Sequence, residues 1–218
     1  MNILITTPGD EEDTHYLRAW TLDVVKEVKN KGHTLIHLDL DDVKRQNFES
    51  RIHKQNPCFI FLNGHGSADS VSGSPRTEII LKAGENDNLT NGRIVYARAC
   101  DSLGGLGKKC VFEQRAKAYI GYSAGFIFPN EYSVKSSRAA TDELARPAME
   151  VSNAIPLALI NGASVKDAMG KSQERYQKWV EHYQIHNTEE GDFIMAMLGM
   201  NMMNQSMVGN ENATIYSD

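Results

Sequence analysis

Cysteine is scarce: Cys58, Cys100 and Cys110 are the three in 218 residues. An odd number at wide spacing is a poor disulfide framework, and no paired Cys-x-x-Cys offers a structural zinc site. Long apolar runs are also missing. The most apolar stretch, Phe193 to Met203, is shorter than a bilayer-spanning helix requires. The opening Met1-Asn-Ile-Leu-Ile-Thr has neither the basic flank nor the long apolar core of a secretory signal. Lysine and arginine form no cluster, and with a net charge of −5 the chain lacks the basic footprint of a nucleic-acid binder. Internal repeats and low-complexity tracts are absent too. What is left is 41% hydrophobic and 23% charged residues, ordinary for a globular protein. No composition shift divides the chain, so one domain over residues 1–218 in a reducing cytoplasm is expected, with no nucleic acid or membrane as partner.

The order of elements implies a parallel sheet. Asn2 to Thr7 reads as a buried strand ended by Pro8-Gly9, and the acidic Asp10-Glu-Glu-Asp13 follows as a potential helix cap. Leu17, Trp20, Val24, Val25 and Val28 recur at helical spacing up to the stop at Gly32. His33 to Leu40 alternates as a strand, Asp41 to Gln55 reads as a polar helix, and Cys58 to Leu62 as a third strand. A β-α-β-α-β order needs crossover helices between parallel neighbours. Ser67 to Ser74 reads as loop and Thr77 to Lys82 as an accessory strand. Arg93 to Ala99 is the fourth core strand, Leu106 to Ala116 a helix, and Lys117 to Ser123 a fifth strand. Beyond Pro129 the pattern turns helical: Ser133 to Ile160, interrupted at Pro147 and Pro156, then Ser164 to His186, then Asp192 to Met203. The methionines of that last helix read as core filling.

In an open parallel sheet the functional site lies at the carboxyl ends of the strands. There the third strand delivers Asn63-Gly-His65-Gly66-Ser67, and the fourth delivers Cys100 followed by a Gly-rich turn. A thiol becomes a nucleophile when an imidazole or a helix N-terminus favours its thiolate. His65 supplies the first condition and the helix after Gly104-Gly105 is expected to supply the second. Gly66 permits close backbone approach, so its N–H and that of Cys100 are candidate oxyanion donors. For an isolated cysteine a buried structural thiol is the simpler reading; the His-Gly pair on the preceding strand tips the balance.

Asn63-Gly-His-Gly-Ser followed by Ala99-Cys100-Asp-Ser resembles the clan CD cysteine peptidases, the caspase–hemoglobinase fold that includes caspases, legumains, gingipains and bacterial CHAT domains. Leu159-Ile-Asn-Gly-Ala-Ser-Val-Lys-Asp-Ala-Met169 is similar to a helix–Gly–helix segment of CHAT domains. The stretch from Met200 to Asn210 resembles their closing turn. The resemblance implies a three-layer α/β sandwich with a mostly parallel sheet and a helical C-terminal part. It implies a cysteine endopeptidase acting through an acyl-enzyme, with His65 as general base and acid, Cys100 as nucleophile, Gly66 and Cys100 as oxyanion donors, and no cofactor or metal. The departures point away from a true caspase. Arg98 and Asp101-Ser102 stand where caspases carry Gln and Arg-Gly, and the His–Cys spacing is shorter than their roughly 50 residues.

Arg98 lies two residues before Cys100, on the same side of the strand. The resemblance puts that position in the pocket for the side chain before the cut, where an arginine would pair with Asp or Glu. Asp101, Ser123 and Asp10 are expected around the same pocket. The acidic run at 10–13 would instead suit Lys or Arg in the substrate, or simply cap a helix. An acidic substrate residue is the expectation of the two. The partner is then a protein or peptide substrate. An intracellular protease needs restraint, so control by a protein partner, a ligand or cleavage is also expected.

Two rival readings use other features. Gly121-Tyr-Ser123-Ala-Gly125 matches the nucleophile elbow of serine hydrolases, with Asp167 and His182 or His186 in the required order. The following Phe126-Ile-Phe-Pro129 reads extended rather than helical, which argues against it. The other rival is a catalytically silent caspase-like signalling or scaffold module. His182 and His186, four apart on one helix face, read as a solvated pair rather than a metal site.

Overall fold

A computed structural model describes residues 1–129, 136–186 and 188–217. The protein is α/β, with a mostly parallel central sheet flanked by helices. In chain order the elements are β1 (Asn2–Thr7), α1 (Glu12–Asn30), β2 (Thr34–Asp39), α2 (Arg45–Gln55) and β3 (Phe59–Asn63). A hairpin of β4 (Ser70–Ser72) and β5 (Ile79–Lys82) follows, then β6 (Ile94–Arg98), α3 (Lys108–Phe112) and β7 (Ala118–Tyr122). The chain closes with α4 (Arg146–Ile160), α5 (Val165–His186), α6 (Gly191–Asn204) and β8 (Gln205–Gly209). The sheet order is β2-β1-β3-β6-β7-β8, parallel throughout except for antiparallel β8. β3, β6 and β7 are buried on both faces, which is why they read as near-continuous apolar runs.

The connections decide which face each helix covers. The step from β1 to β2 moves one way across the sheet, and every later step among the parallel strands moves the other way. A fixed hand of crossover then requires opposite faces. α1 accordingly packs Tyr16, Leu17, Trp20, Val24 and Val28 against Ile3, Ile5, Phe59 and Phe61 on one face. Phe48 and Ile52 of α2 and Cys110 of α3 pack with Leu4, Ile60, Leu62 and Val95 on the other. That leaves the first face bare beside α1, and α4 and α5 return to cover it with Met149, Val151, Ile155, Ala168 and Tyr176. Strand order reverses between β1 and β3, so a crevice opens at their carboxyl ends.

Several segments depart from their sequence reading. The stretch 67–74 contains β4, which pairs antiparallel with β5. The helix expected over Leu106 to Ala116 begins earlier, as a π-helical turn at Leu103–Gly107, and continues as the five-residue α3. α4 starts only at Arg146, with Pro147 in its first turn, and it carries Pro156 in its interior. The part of the expected helix at 133–135 lies outside the described residues. The closing turn expected near Gly209 is preceded by β8, an edge strand. No helix among the described residues is long and apolar enough to cross a membrane.

Candidate active site

β3 and β6 are parallel neighbours with Asn63 opposite Arg98. Two residues further along each strand direction stand His65 and Cys100. The β4–β5 hairpin fixes the first of them. The Ser72 N–H donates to the His65 carbonyl at 2.9 Å, and the His65 N–H donates to Ser72 Oγ at 3.2 Å. Both flanking glycines are required by close approach. A Cβ on Gly64, where φ is +156°, would lie 2.2 Å from the Ser72 carbonyl oxygen. One on Gly66 would lie 2.1 Å from the Cys100 carbonyl oxygen, so Gly66 packs directly on the backbone of the cysteine. Gly66 also forms an isolated antiparallel bridge with Val71. The bonds on either side of it run between Ser67 and Ser70 and between Ser72 and His65. That makes Gly66 and Val71 a non-hydrogen-bonded pair, whose N–H groups turn away from the hairpin.

Cys100 is half-buried, and its Sγ accepts the Phe126 N–H at 3.3 Å. Asp101 adopts a left-handed conformation, φ +59°, which an aspartate tolerates. Its N–H donates to the Ala124 carbonyl at 3.0 Å. The turn after β6 and the extended segment after β7 are therefore tied together on both sides of the sulfur. Asp13, Thr14, Leu17, Gly64, His65, Arg98, Ala99, Cys100, Phe126 and Phe128 line one small cleft of about 40 Å³. One wall is aromatic: Phe126 packs on Tyr122 at 4.9 Å and on Phe128 at 5.8 Å between ring centroids.

A carboxylate completes the constellation. Glu11 Oε2 lies 2.9 Å from His65 Nε2, with Arg76 Nη1 3.7 Å from the same oxygen. The carboxylate sits off the line of the ring N–H, so Nε2 has a charge neighbour and no directed hydrogen bond. Asp10, the acid expected at the pocket, instead accepts the Arg76 N–H at 2.9 Å and is exposed. Four consecutive-looking acids at 10–13 gave no signal as to which would reach the histidine. Glu11 does so because it immediately precedes α1, with its N–H held by Thr14 Oγ1 at 3.1 Å.

Arg98 requires a correction. Its side chain is fully buried, and every N–H is committed inward. Nε donates to Asn63 Oδ1 at 2.9 Å, and Nη1 to Ser152 Oγ at 2.9 Å and Asn153 Oδ1 at 3.0 Å. Nη2 donates to the Leu17 carbonyl at 2.9 Å and to Thr21 Oγ1. A guanidinium has five N–H groups, so none is left for a substrate carboxylate. Arg98 forms the floor of the cleft and a tie between β6, β3, α1 and α4. Burial lowers its pKa to about 10, so it stays protonated at neutral pH.

Ser123 is exposed, and both its N–H (2.9 Å) and its Oγ (3.3 Å) donate to the Asn204 carbonyl. No helix follows it directly: residues 125–129 have no regular secondary structure, so the strand–turn–helix geometry of a nucleophile elbow is absent there. The helix expected after Cys100 starts nearer to it than the sequence suggested, since the π-helical turn at Leu103–Gly107 runs directly into α3. The other two cysteines are less suited to chemistry. Burial raises the pKa of Cys58 and pushes that of Cys110 up to about 12. His182 and His186 stack with ring centroids 4.2 Å apart, and among the described residues no group of three or more His, Cys, Asp or Glu side chains could hold a metal ion. No protein-family model matches the chain, and no curated protein matches it in sequence.

Proposed function

We propose that this protein is a cysteine endopeptidase of the caspase–hemoglobinase type, with Cys100 as nucleophile and His65 as general base and acid. The observation that carries the reading is the convergence of the two residues, from the ends of adjacent parallel strands, on one cleft at the strand-order reversal. Cys100 Sγ attacks the scissile carbonyl carbon, and the thiol proton passes to His65. The oxyanion is met by the N–H groups of Gly66 and Cys100, the former turned away from its hairpin and free of other duties there. His65 protonates the leaving amine as the C–N bond breaks, leaving a thioester. It then deprotonates the water that hydrolyses this acyl-enzyme. Glu11 places a negative charge beside the imidazole, which favours the imidazolium formed when His65 takes the thiol proton.

The same geometry supports a substrate with Lys or Arg before the cut. Arg98 has no donor to offer, while Asp13 lines the cleft and Glu11 and Asp101 stand at its mouth. A cleft of about 40 Å³ has room for a few waters but is small for a Lys or Arg side chain. A substrate side chain must displace Phe126 and Phe128 or the Glu11 carboxylate, which supports control by a protein partner, a ligand or cleavage.

The test is a proteome-wide cleavage assay with wild type and Cys100→Ala, followed by peptides that differ only at the residue before the cut. Loss of every new peptide terminus in Cys100→Ala, with cleavage after Lys or Arg in wild type, is the expected result. Cleavage that persists in Cys100→Ala overturns the assignment of the nucleophile. Cleavage after Asp or Glu alone overturns the pocket.

A further inference from the structure

Arg98 is a buried charge that its described surroundings leave without a counter-ion. Arg98 is fully buried, yet all of its hydrogen-bond partners are neutral: the amide oxygens of Asn63 and Asn153, the hydroxyls of Thr21 and Ser152, and the Leu17 carbonyl. Among the described residues no carboxylate pairs with it. Beyond these stand Met149 Sδ, 4.0 Å from Nη1, and the face of Phe61, 5.3 Å from the guanidinium carbon, which favours a cation without neutralising it. A buried ion without a counter-ion is costly, and interiors accept one rarely. Tying β6 to β3, α1 and α4 does not require a charge, since neutral amides and hydroxyls make the same kind of bond. Departures from such rules concentrate at functional sites.

We propose that Arg98 is a supporting charge for Cys100: its guanidinium holds a positive potential under the cleft that favours the thiolate and the oxyanion formed on attack. This rests on Cys100 being the reactive thiol. The placement fits the role. Arg98 precedes Cys100 by two residues on the same face of the strand line, and both line the one cleft. Opposite charges on the walls of one small, water-poor cleft are weakly screened from each other. Of the nearby carboxylates, Asp13 lines the cleft but is exposed, and Glu11 is already engaged by His65 and Arg76. Arg98 touches no reacting atom; it acts through Cys100.

The experiment compares alkylation of Cys100 by iodoacetate and by iodoacetamide, reagents of nearly equal size that differ by a negative charge. In each case the thiolate attacks the methylene carbon, the S–C bond forms as the C–I bond breaks, and iodide leaves. The ratio of the two rates cancels differences in access and reports the local potential. In Arg98→Gln, which keeps polarity and removes charge, the ratio is expected to fall about fivefold. In Arg98→Lys, which keeps charge and loses most of the hydrogen bonds, it stays within about twofold of wild type. Equal ratios in all three proteins, or an equal fall in both variants, overturn the proposal and leave Arg98 as a structural tie. If Arg98→Gln does not fold, the ratio for wild-type Cys100 is set against that of the uncharged thiol N-acetylcysteine amide at about 0.5 M salt, where exposed carboxylates are screened. A ratio above the free thiol supports the proposal, and one at or below it overturns the proposal. Peptide cleavage is not read in this assay. A protein that passes it and cuts no peptide refutes the endopeptidase reading alone, whereas one that cuts through Cys100 and fails it refutes only the role of Arg98.

Discussion

Two polar clusters stand at the same carboxyl-terminal edge of the sheet, each with a histidine, a carboxylate and an arginine, and they are built differently. Between β1 and β2 the cluster is closed. Thr7 Oγ1 lies 2.7 Å from His37 Nε2 and 2.8 Å from Asp39 Oδ1. Asp39 in turn takes two N–H bonds from Arg18, at 2.7 and 2.9 Å. Between β3 and β6 the cluster is open. The Glu11 carboxylate is close to His65 without a directed hydrogen bond, Cys100 is half-exposed to a cleft, and the Gly66 N–H faces away from its own hairpin. The residue types barely distinguish the two. Unused hydrogen-bonding capacity beside a half-exposed thiol does, because a satisfied network holds a fold together and an unsatisfied one can still bind something.

The largest expected effect breaks the comparison at its histidines. His65→Ala is expected to lower kcat/KM on a cleaved peptide by about a thousandfold or more, the scale of losing a member of a nucleophile–base pair. His37→Ala, in the closed cluster, is expected to stay within about threefold once its folding has been verified by circular dichroism. Comparable losses in both variants would mean that the two clusters work as one.

A second contrast lies in the glycines that approach each cluster. A Cβ on Gly9 would meet Leu40 Cδ2 at 2.9 Å and Arg18 Cδ at 3.2 Å, the far ends of side chains that can move. A Cβ on Gly66 would meet backbone atoms of Cys100 at 2.1 and 2.8 Å, which cannot move without displacing that cysteine. Gly9→Ala is expected to cost under about 1 kcal/mol and Gly66→Ala about 2–4 kcal/mol in urea unfolding, with activity lost only in the second. Equal midpoints would show that the turn carrying Gly66 is softer than its packing implies.

The open cluster was legible in sequence where it depends on strand ends, and illegible where it depends on three-dimensional packing. His65 and Cys100 announce themselves by apolar runs that stop at them, and the parallel order of those runs makes them neighbours. Glu11 does not, since an acidic run before a helix has the same appearance whether it caps, solvates or reaches a histidine. Arg98 misled because its side-chain face was read correctly while α1 and α4, which close over that face and absorb all five donors, come from distant segments. β5 was legible within the accessory strand read over Thr77 to Lys82, but its partner β4 was not, because Ser-Val-Ser is polar enough to read as loop, though its Ser72 is what fixes His65. β8 escaped for a similar reason: a short edge strand has one exposed side and a weak alternation.

The smallest effect concerns pH and sharpens what closure means. Burial lowers the pKa of His37, against the attraction of Asp39 and with further lowering by Arg18 and Lys29. Its folded value therefore lies below the unfolded one of about 6.5. Between the two, the unfolded chain binds the extra proton, so stability is complete above the unfolded value and falls as pH drops through that window. Asp39 adds a second loss at more acid pH. Burial alone would raise its pKa, but hydrogen bonds from Arg18 and Thr7 and the nearby charges of Arg18 and His37 hold it below the ordinary value. A depressed carboxylate stabilises above its unfolded pKa, near 3.9, and that contribution is lost as pH falls through the folded value. Melting temperature against pH is expected to decline in wild type just below about 6.5 and to be flatter there in His37→Gln, with the lower decline kept in both. A closed cluster of this kind gains its order by holding a histidine neutral, and acid is what opens it. Superimposable curves for the two proteins would mean that His37 stays outside that balance, and that the β1–β2 cluster owes its closure to Asp39 and Arg18 alone.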